Sequence, residues 1–162
     1  MKVLYWNLCN EVDPHASLQE ARQLIEDEQI DVACFQEVPY VPQEVEGRKI
    51  NVPLSQLLAD EFDMEQTFEH TRTIRKTDDR IKGYGSAILS RSSFVEQQTS
   101  IIRDDRFSYM TDHPENQRVL LSARVEAEPD VVVNVAHMSY ALPLNIGKKG
   151  LKSEHRTLAS IL

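Results

Sequence analysis

Two residues, Asn7 and Glu37, have the types and the setting to do chemistry together. A short apolar strand predicted over residues 2–7 ends in Trp6-Asn7, and after one helix-length connection a second, over 31–37, ends in Gln36-Glu37. If the connection is a crossover helix, the strands run parallel and finish at the same sheet edge. Functional groups in α/β sheets gather beyond the carboxyl ends of strands. An amide oxygen and a carboxylate converging there suit a hard cation such as Mg²⁺. A third residue, His137, closes the apolar run 131–136. An imidazole at that point can act as a general acid or stabilise charge building on phosphorus. Singly, each has an ordinary explanation: an Asx turn for Asn7, an exposed loop acid for Glu37, a half-buried, backbone-bonded ring for His137.

The elements that must position these groups follow from the spacing of apolar residues. Asp13-Pro14 reads as a turn, and Ser17 with Glu20 three residues on forms a capping-box pattern. The helix after it carries Leu18, Ala21, Leu24 and Ile25 on one face. Strand, helix and strand make a βαβ unit. Pro39, Pro42 and Gly47 mark an irregular loop, and a second helix is expected over about 53–62 with Leu54, Leu57 and Leu58 inward. Five further segments read as strands: 64–74, 84–89, 94–102, 119–125 and 131–137. Residues 103–117 form a long polar loop, and a third helix starts near Gly150. The order predicts a mixed sheet with helices packed on it.

Composition narrows the function. The 162 residues suit one domain, with 41% hydrophobic and 27% charged residues. A net charge of −8 argues against broad duplex binding, which needs a basic face to release counterions. Two cysteines, Cys9 and Cys34, make neither a disulfide framework nor a zinc pattern, and read as reduced thiols. No signal-peptide layout and no membrane-spanning run is present, so the default compartment is the cytoplasm.

Secondary features are weaker. Gly83 to Arg91, "GYGSAILSR", enters a strand through two glycines and reads as architecture. Arg72, Arg75, Lys76, Arg80 and Lys82 form a basic stretch that fits phosphate contacts or a solvated hairpin tip. Lys148, Lys149 and Lys152 read as a solvated face, and His15, His70, His113 and His155 have no partners at ligand spacing.

The segments "LYWN", "DVACFQEV", "GYGSAILSR", "NQRVLLSARV" and "VVVNVAHMSY" occur in that order. Together they resemble the endonuclease–exonuclease–phosphatase superfamily of metal-dependent phosphoesterases over essentially the whole chain. That resemblance implies an α/β (α+β sandwich) fold of mixed sheets stacked face to face and flanked by helices. It implies Mg²⁺, with Mn²⁺ as a substitute, and a phosphate-ester substrate, either nucleic acid or a small phosphorylated molecule. Asn7 matches the asparagine that helps build the metal and phosphate site, and Glu37 the metal-binding glutamate. His137 matches the histidine facing the scissile phosphate. Arg118 matches more loosely an arginine that precedes a strand. Tyr140 stands near His137 as a candidate substrate contact, against the commoner packed role of a loop tyrosine.

The resemblance also implies motifs absent from this chain: an Asp-x-Asn run, usually "GDFN", and a later Asp-His pair. Residues 1–162 are therefore expected to be one domain lacking its C-terminal part. Uncovered sandwich core would cost roughly 25 cal/mol per Å² and favour self-association. Two functions stand beside each other at this point. One is a metal-dependent phosphoesterase; the alternative is a truncated or degenerate relative that binds a phosphorylated ligand or partner without hydrolysis.

Overall fold

The computed structural model describes residues 1–8, 13–77, 80–101 and 119–136, with the backbone path alone over 72–83. The described residues form two sheets. In the first, β1 (Val3–Asn7), β2 (Val32–Val45), β5 (Arg80–Ser90) and β4 (Glu65–Thr77) lie side by side in that order, and β3 (Arg48–Pro53) pairs with the far half of β2. In the second, β6 (Phe94–Ile101), β7 (Val119–Val125) and β8 (Val132–Ala136) form an antiparallel meander. β1 and β2 are parallel, from Val3 opposite Val32 to Asn7 opposite Gln36, as the βαβ reading requires.

Helix α1 (Pro14–Asp27) supplies the crossover. It begins three residues before the expected capping box. Pro14 sits in its first turn and the Asp13 carboxylate accepts the His15 amide at 3.0 Å. Ser17 is instead buried in the helix and donates to the Leu8 carbonyl at 3.4 Å. Helix α2 (Leu54–Phe62) follows Pro53 and stops at Asp63, whose left-handed backbone closes the last turn. Both helices pack on one face of the first sheet. Leu18, Ala21, Ile25, Leu54 and Leu58 meet Ala33, Phe35, Ala87 and Leu89 there.

The opposite face of that sheet meets the second. Val32, Cys34 and Ile88 pack against Leu121, Ala123, Val125, Val133 and Val135. The alternation along β2 explains the division: odd residues 33 and 35 face the helices, even residues 32 and 34 the second sheet. The fold is thus a sandwich of mixed sheets, not closed around its rim, with helices on one outer face.

The expected loop around Pro39, Pro42 and Gly47 is in fact strand. β2 runs on to Val45, turns at Glu46-Gly47 and returns as β3, with Tyr40 opposite Pro53 and Val45 opposite Arg48. Positive φ at both turn residues, 51° and 75°, matches the right-handed twist of a two-residue hairpin. The prolines misled because a strand can carry proline wherever its missing N–H has no ladder partner. The strands β4 and β5 also run longer than expected, to a hairpin pairing Thr77 with Arg80. The polar loop at 103–117 and the helix after Gly150 fall outside the described residues.

Candidate active site

β1 and β2 end together, as their parallel register demands, and the ladder continues one step further as the Leu8 amide donates to the Gln36 carbonyl at 2.9 Å. Along β1, Leu4 and Trp6 pack toward the helices, so Asn7 lies on the other face with Tyr5. On β2 the regular alternation breaks at the same level. Phe35 pairs with Ala87 and Val38 with Gly85, so Gln36 and Glu37 together oppose Ser86 alone. This bulge puts Glu37 in the left-handed region at φ 51°. Four described non-glycine residues have positive φ; Gln29 and Asp63 end helices and Glu46 is in a turn, while Glu37 alone lies inside a strand pairing. A β-bulge re-aims a side chain, and here it brings the Glu37 carboxylate to Asn7. The Asn7 Nδ2 donates to Glu37 Oε1 at 3.2 Å.

The neighbouring groups hold this corner together. Gln36 Nε2 donates to the Ala136 carbonyl at 2.5 Å and to the Tyr5 hydroxyl at 3.2 Å, and the Ala136 amide donates to the same hydroxyl at 3.4 Å. Ala136 ends β8, so these bonds join the first sheet to the second at the Asn7–Glu37 end. Burial raises the Tyr5 hydroxyl above its usual range, against the lowering effect of its bonds to Ala136 and Gln36. Tyr5 is therefore a neutral phenol at physiological pH. Ser86, fully buried opposite the bulge, has a hydroxyl with no partner.

The oxygen donors fit a hard divalent cation in type: one carboxylate and one amide carbonyl. No group of three or more His, Cys, Asp or Glu residues gathers among the described residues. A Mg²⁺ site needs no such group, because that ion keeps several waters and takes one or two carboxylates plus phosphate oxygens.

Of the residues expected at the site, the structure brings Asn7 and Glu37 together. His137, Arg118 and Tyr140 lie outside the described residues, as do Cys9, His113, His155 and the lysines at 148, 149 and 152. Cys34 is fully buried, and burial pushes its thiol up to about 12, so it is not a nucleophile. His70 is not isolated: its Nδ1 lies 3.2 Å from the Tyr40 hydroxyl. Gly85 is architecture, as expected, since the Phe68 ring and Glu69 carbonyl fill the space a Cβ would take. Sequence reading missed Tyr5 and Gln36. Their only signal was position: Gln36 precedes the key glutamate, and Tyr5 shares the face of Asn7.

The described residues thus form a two-sheet sandwich with helices outside and an amide–carboxylate pair at the ends of two parallel strands. The Endonuclease/Exonuclease/phosphatase family profile matches residues 4–144, and the chain belongs to that family. The activities in that name are all hydrolyses of phosphate esters. No curated protein matches the chain in sequence. Among solved structures it is similar to an endonuclease/exonuclease/phosphatase from Beutenbergia cavernae, with a TM-score of 0.68 and 20% identity over 99% of this chain and 43% of that one. A family protein from Leptotrichia buccalis superposes with a TM-score of 0.65 and 14% identity, over 100% of this chain and 63% of that one. D. rerio TDP2, solved with a single-strand DNA product, follows at 0.59 and 16%, over 98% and 53%. At these identities the likeness establishes the fold. The chain thus spans between 43% and 63% of the length of these three structures. No helix among the described residues is long and apolar enough to cross a membrane.

Proposed function

We propose that this chain carries the cation-binding half of a Mg²⁺-dependent phosphoric-ester hydrolase, with Mn²⁺ able to substitute. The observation that carries the reading is the left-handed Glu37, held inside a strand pairing with its carboxylate against Asn7. Backbone strain of this kind persists where the surrounding structure enforces it, and it clusters at functional sites.

Glu37 would hold the cation, with Asn7 supplying its carbonyl oxygen to the cation or its NH₂ to a phosphate oxygen. When bound, the cation supplies charge stabilisation at the phosphoryl and leaving oxygens. His137, which follows Ala136 in sequence, is assigned to stabilise the charge on phosphorus, and Arg118, the looser family match, to assist it. Tyr140 is assigned to substrate contact. The group that activates water is not among these residues.

A nucleic-acid phosphodiester is the favoured substrate, because D. rerio TDP2 shares the fold and is complexed with a single-strand DNA product. The net charge of −8 argues against broad binding along continuous duplex. The terminal strands β1 and β8 leave Val3, Tyr5 and Val132 substantially exposed, a surface through which copies would self-associate.

The test is Glu37→Gln in the full chain, with Mn²⁺ binding followed by electron paramagnetic resonance and hydrolysis followed on a chromogenic phosphodiester. Parallel losses of binding and of chelator-sensitive turnover support the assignment, whereas retention of both sinks it. Cation binding lost with Glu37 but no turnover in the parent would favour the second reading, a ligand-binding relative without hydrolysis.

A further inference from the structure

The Glu37 backbone is held in a sparsely populated conformation, so something adjacent must hold it. The residue immediately before it, Gln36, is fixed at both ends. Its carbonyl accepts from Leu8, and its side-chain NH₂ is divided between the Ala136 carbonyl and the Tyr5 hydroxyl. Tyr5 in turn accepts from the Ala136 amide. Gln36, Tyr5 and the last described residue of β8 therefore close a small ring of hydrogen bonds spanning the two sheets, next to the bulge. Elsewhere in that bulge the side chains offer less: the hydroxyl of Ser86, the residue opposite, has no hydrogen-bond partner.

We propose that Gln36 and Tyr5 are positioning residues for the cation site, acting through the backbone at Glu37 and through Ala136. The ring clamps the bulge and so sets the direction of the Glu37 carboxylate. By holding both backbone polar atoms of Ala136, it also fixes the point where the chain leaves β8 toward His137. Hydrogen-bonding partners one step behind a metal ligand commonly govern affinity by 10–100-fold, because they remove the freedom the ligand would otherwise lose on binding. The inference rests on Glu37 being a cation ligand.

A merely structural tie between the sheets would lower thermal stability and leave the affinity of the folded protein alone. Tyr5→Phe and Gln36→Leu are compared with the parent chain and with Glu37→Gln, reading the Mn²⁺ dissociation constant at a temperature where circular dichroism shows each variant folded. Tyr5→Phe keeps the ring and removes only the hydroxyl, so it preserves the fold even if Gln36→Leu does not. The expected result is Mn²⁺ affinity about tenfold weaker in Tyr5→Phe and at least as much weaker in Gln36→Leu. If Glu37→Gln loses binding while Tyr5→Phe and Gln36→Leu keep parental affinity, the positioning role is overturned and the site stands. If Glu37→Gln itself binds Mn²⁺ as the parent does, the site reading falls, and this inference with it.

Discussion

Asn7 and Glu37, at the ends of two parallel strands, meet through a hydrogen bond of 3.2 Å from the amide nitrogen to the carboxylate. An uncharged donor beside the carboxylate offsets its charge when no cation is bound. Asn7→Asp replaces that donor with a second negative charge at contact distance. Two carboxylates so close cannot both ionise readily, and one of them is pushed up in pKa. For an acid raised in the folded state, the destabilisation is present at high pH and relieved as pH falls. The Asn7→Asp variant without cation should therefore melt lower than the parent at pH 7, approach it near pH 4, and regain stability when Mg²⁺ is added. Asn7→Ala should weaken Mn²⁺ binding about tenfold without that pH signature. Melting curves with Mg²⁺ or chelator check both, and an Asn7→Asp variant indifferent to Mg²⁺ would contradict the site.

Gly85 and Gly47 illustrate how one substitution can fail for two reasons. At Gly85 a Cβ would collide with the Phe68 ring and the Glu69 carbonyl, and the carbonyl belongs to a strand paired with β5 on that very segment. Overpacking against backbone that cannot withdraw costs about 2–3 kcal/mol. Gly47 has open space but φ of 75°, so Gly47→Ala costs only the left-handed penalty, about 1 kcal/mol. Chemical denaturation should rank Gly85→Ala well below Gly47→Ala. Equal midpoints would show that Phe68 swings aside.

Much of this architecture could be read from the chain because local pattern and tertiary need agree. The parallel pair, its crossover helix and the placing of Asn7 and Glu37 at one sheet edge follow from two apolar strands a helix apart. What escaped notice was set by non-local pairing. Pro39 and Pro42 argue locally for a loop, yet β2 continues through them because β5 and then β3 pair alongside. The Gln36–Tyr5–Ala136 ring was invisible because its members are separated by 131 residues in the longest of its bonds. Nothing in their types announces that an exposed tyrosine and a strand glutamine will share a backbone partner. The bulge itself has no sequence signal either, since glutamate is a poor candidate for φ above zero.

Glu65 joins the sheets at the opposite end from that ring. Its carboxylate accepts from the Phe94 amide at 2.9 Å and the Ser93 hydroxyl at 2.8 Å. These bonds, the backbone one foremost, hold its pKa below the ordinary 4.5. A depressed folded-state pKa contributes stability above the unfolded value, and that contribution is lost as pH falls through the folded one. Glu65→Gln should thus melt lower than the parent by a constant margin from pH 7 to about 5, with the margin closing as the solution is acidified below the ordinary value. A margin independent of pH down to 3 would mean that the charge on Glu65 contributes nothing.

The four left-handed non-glycine residues among those described offer a way to separate strain kept for function from strain that is merely tolerated. Glu46 occupies the first turn position of the β2–β3 hairpin, where Asn-Gly is the sequence best suited to positive φ at both places. Glu46→Asn should stabilise the protein by about 0.5–1 kcal/mol and leave cation affinity unchanged. Glu37 has the same φ of 51° but sits in a bulge within a sheet. Glu37→Gly relieves a similar strain, partly offset by the entropy glycine adds to the unfolded chain, so stability should hold or rise by up to about 1 kcal/mol. Cation binding should vanish with the carboxylate. Stability gained at both positions with binding lost at only one would mark Glu37 as a residue retained against its own backbone preference, as a ligand is. A Glu37→Gly protein that unfolds more easily than the parent would instead assign the carboxylate a structural role in the corner it shares with Asn7.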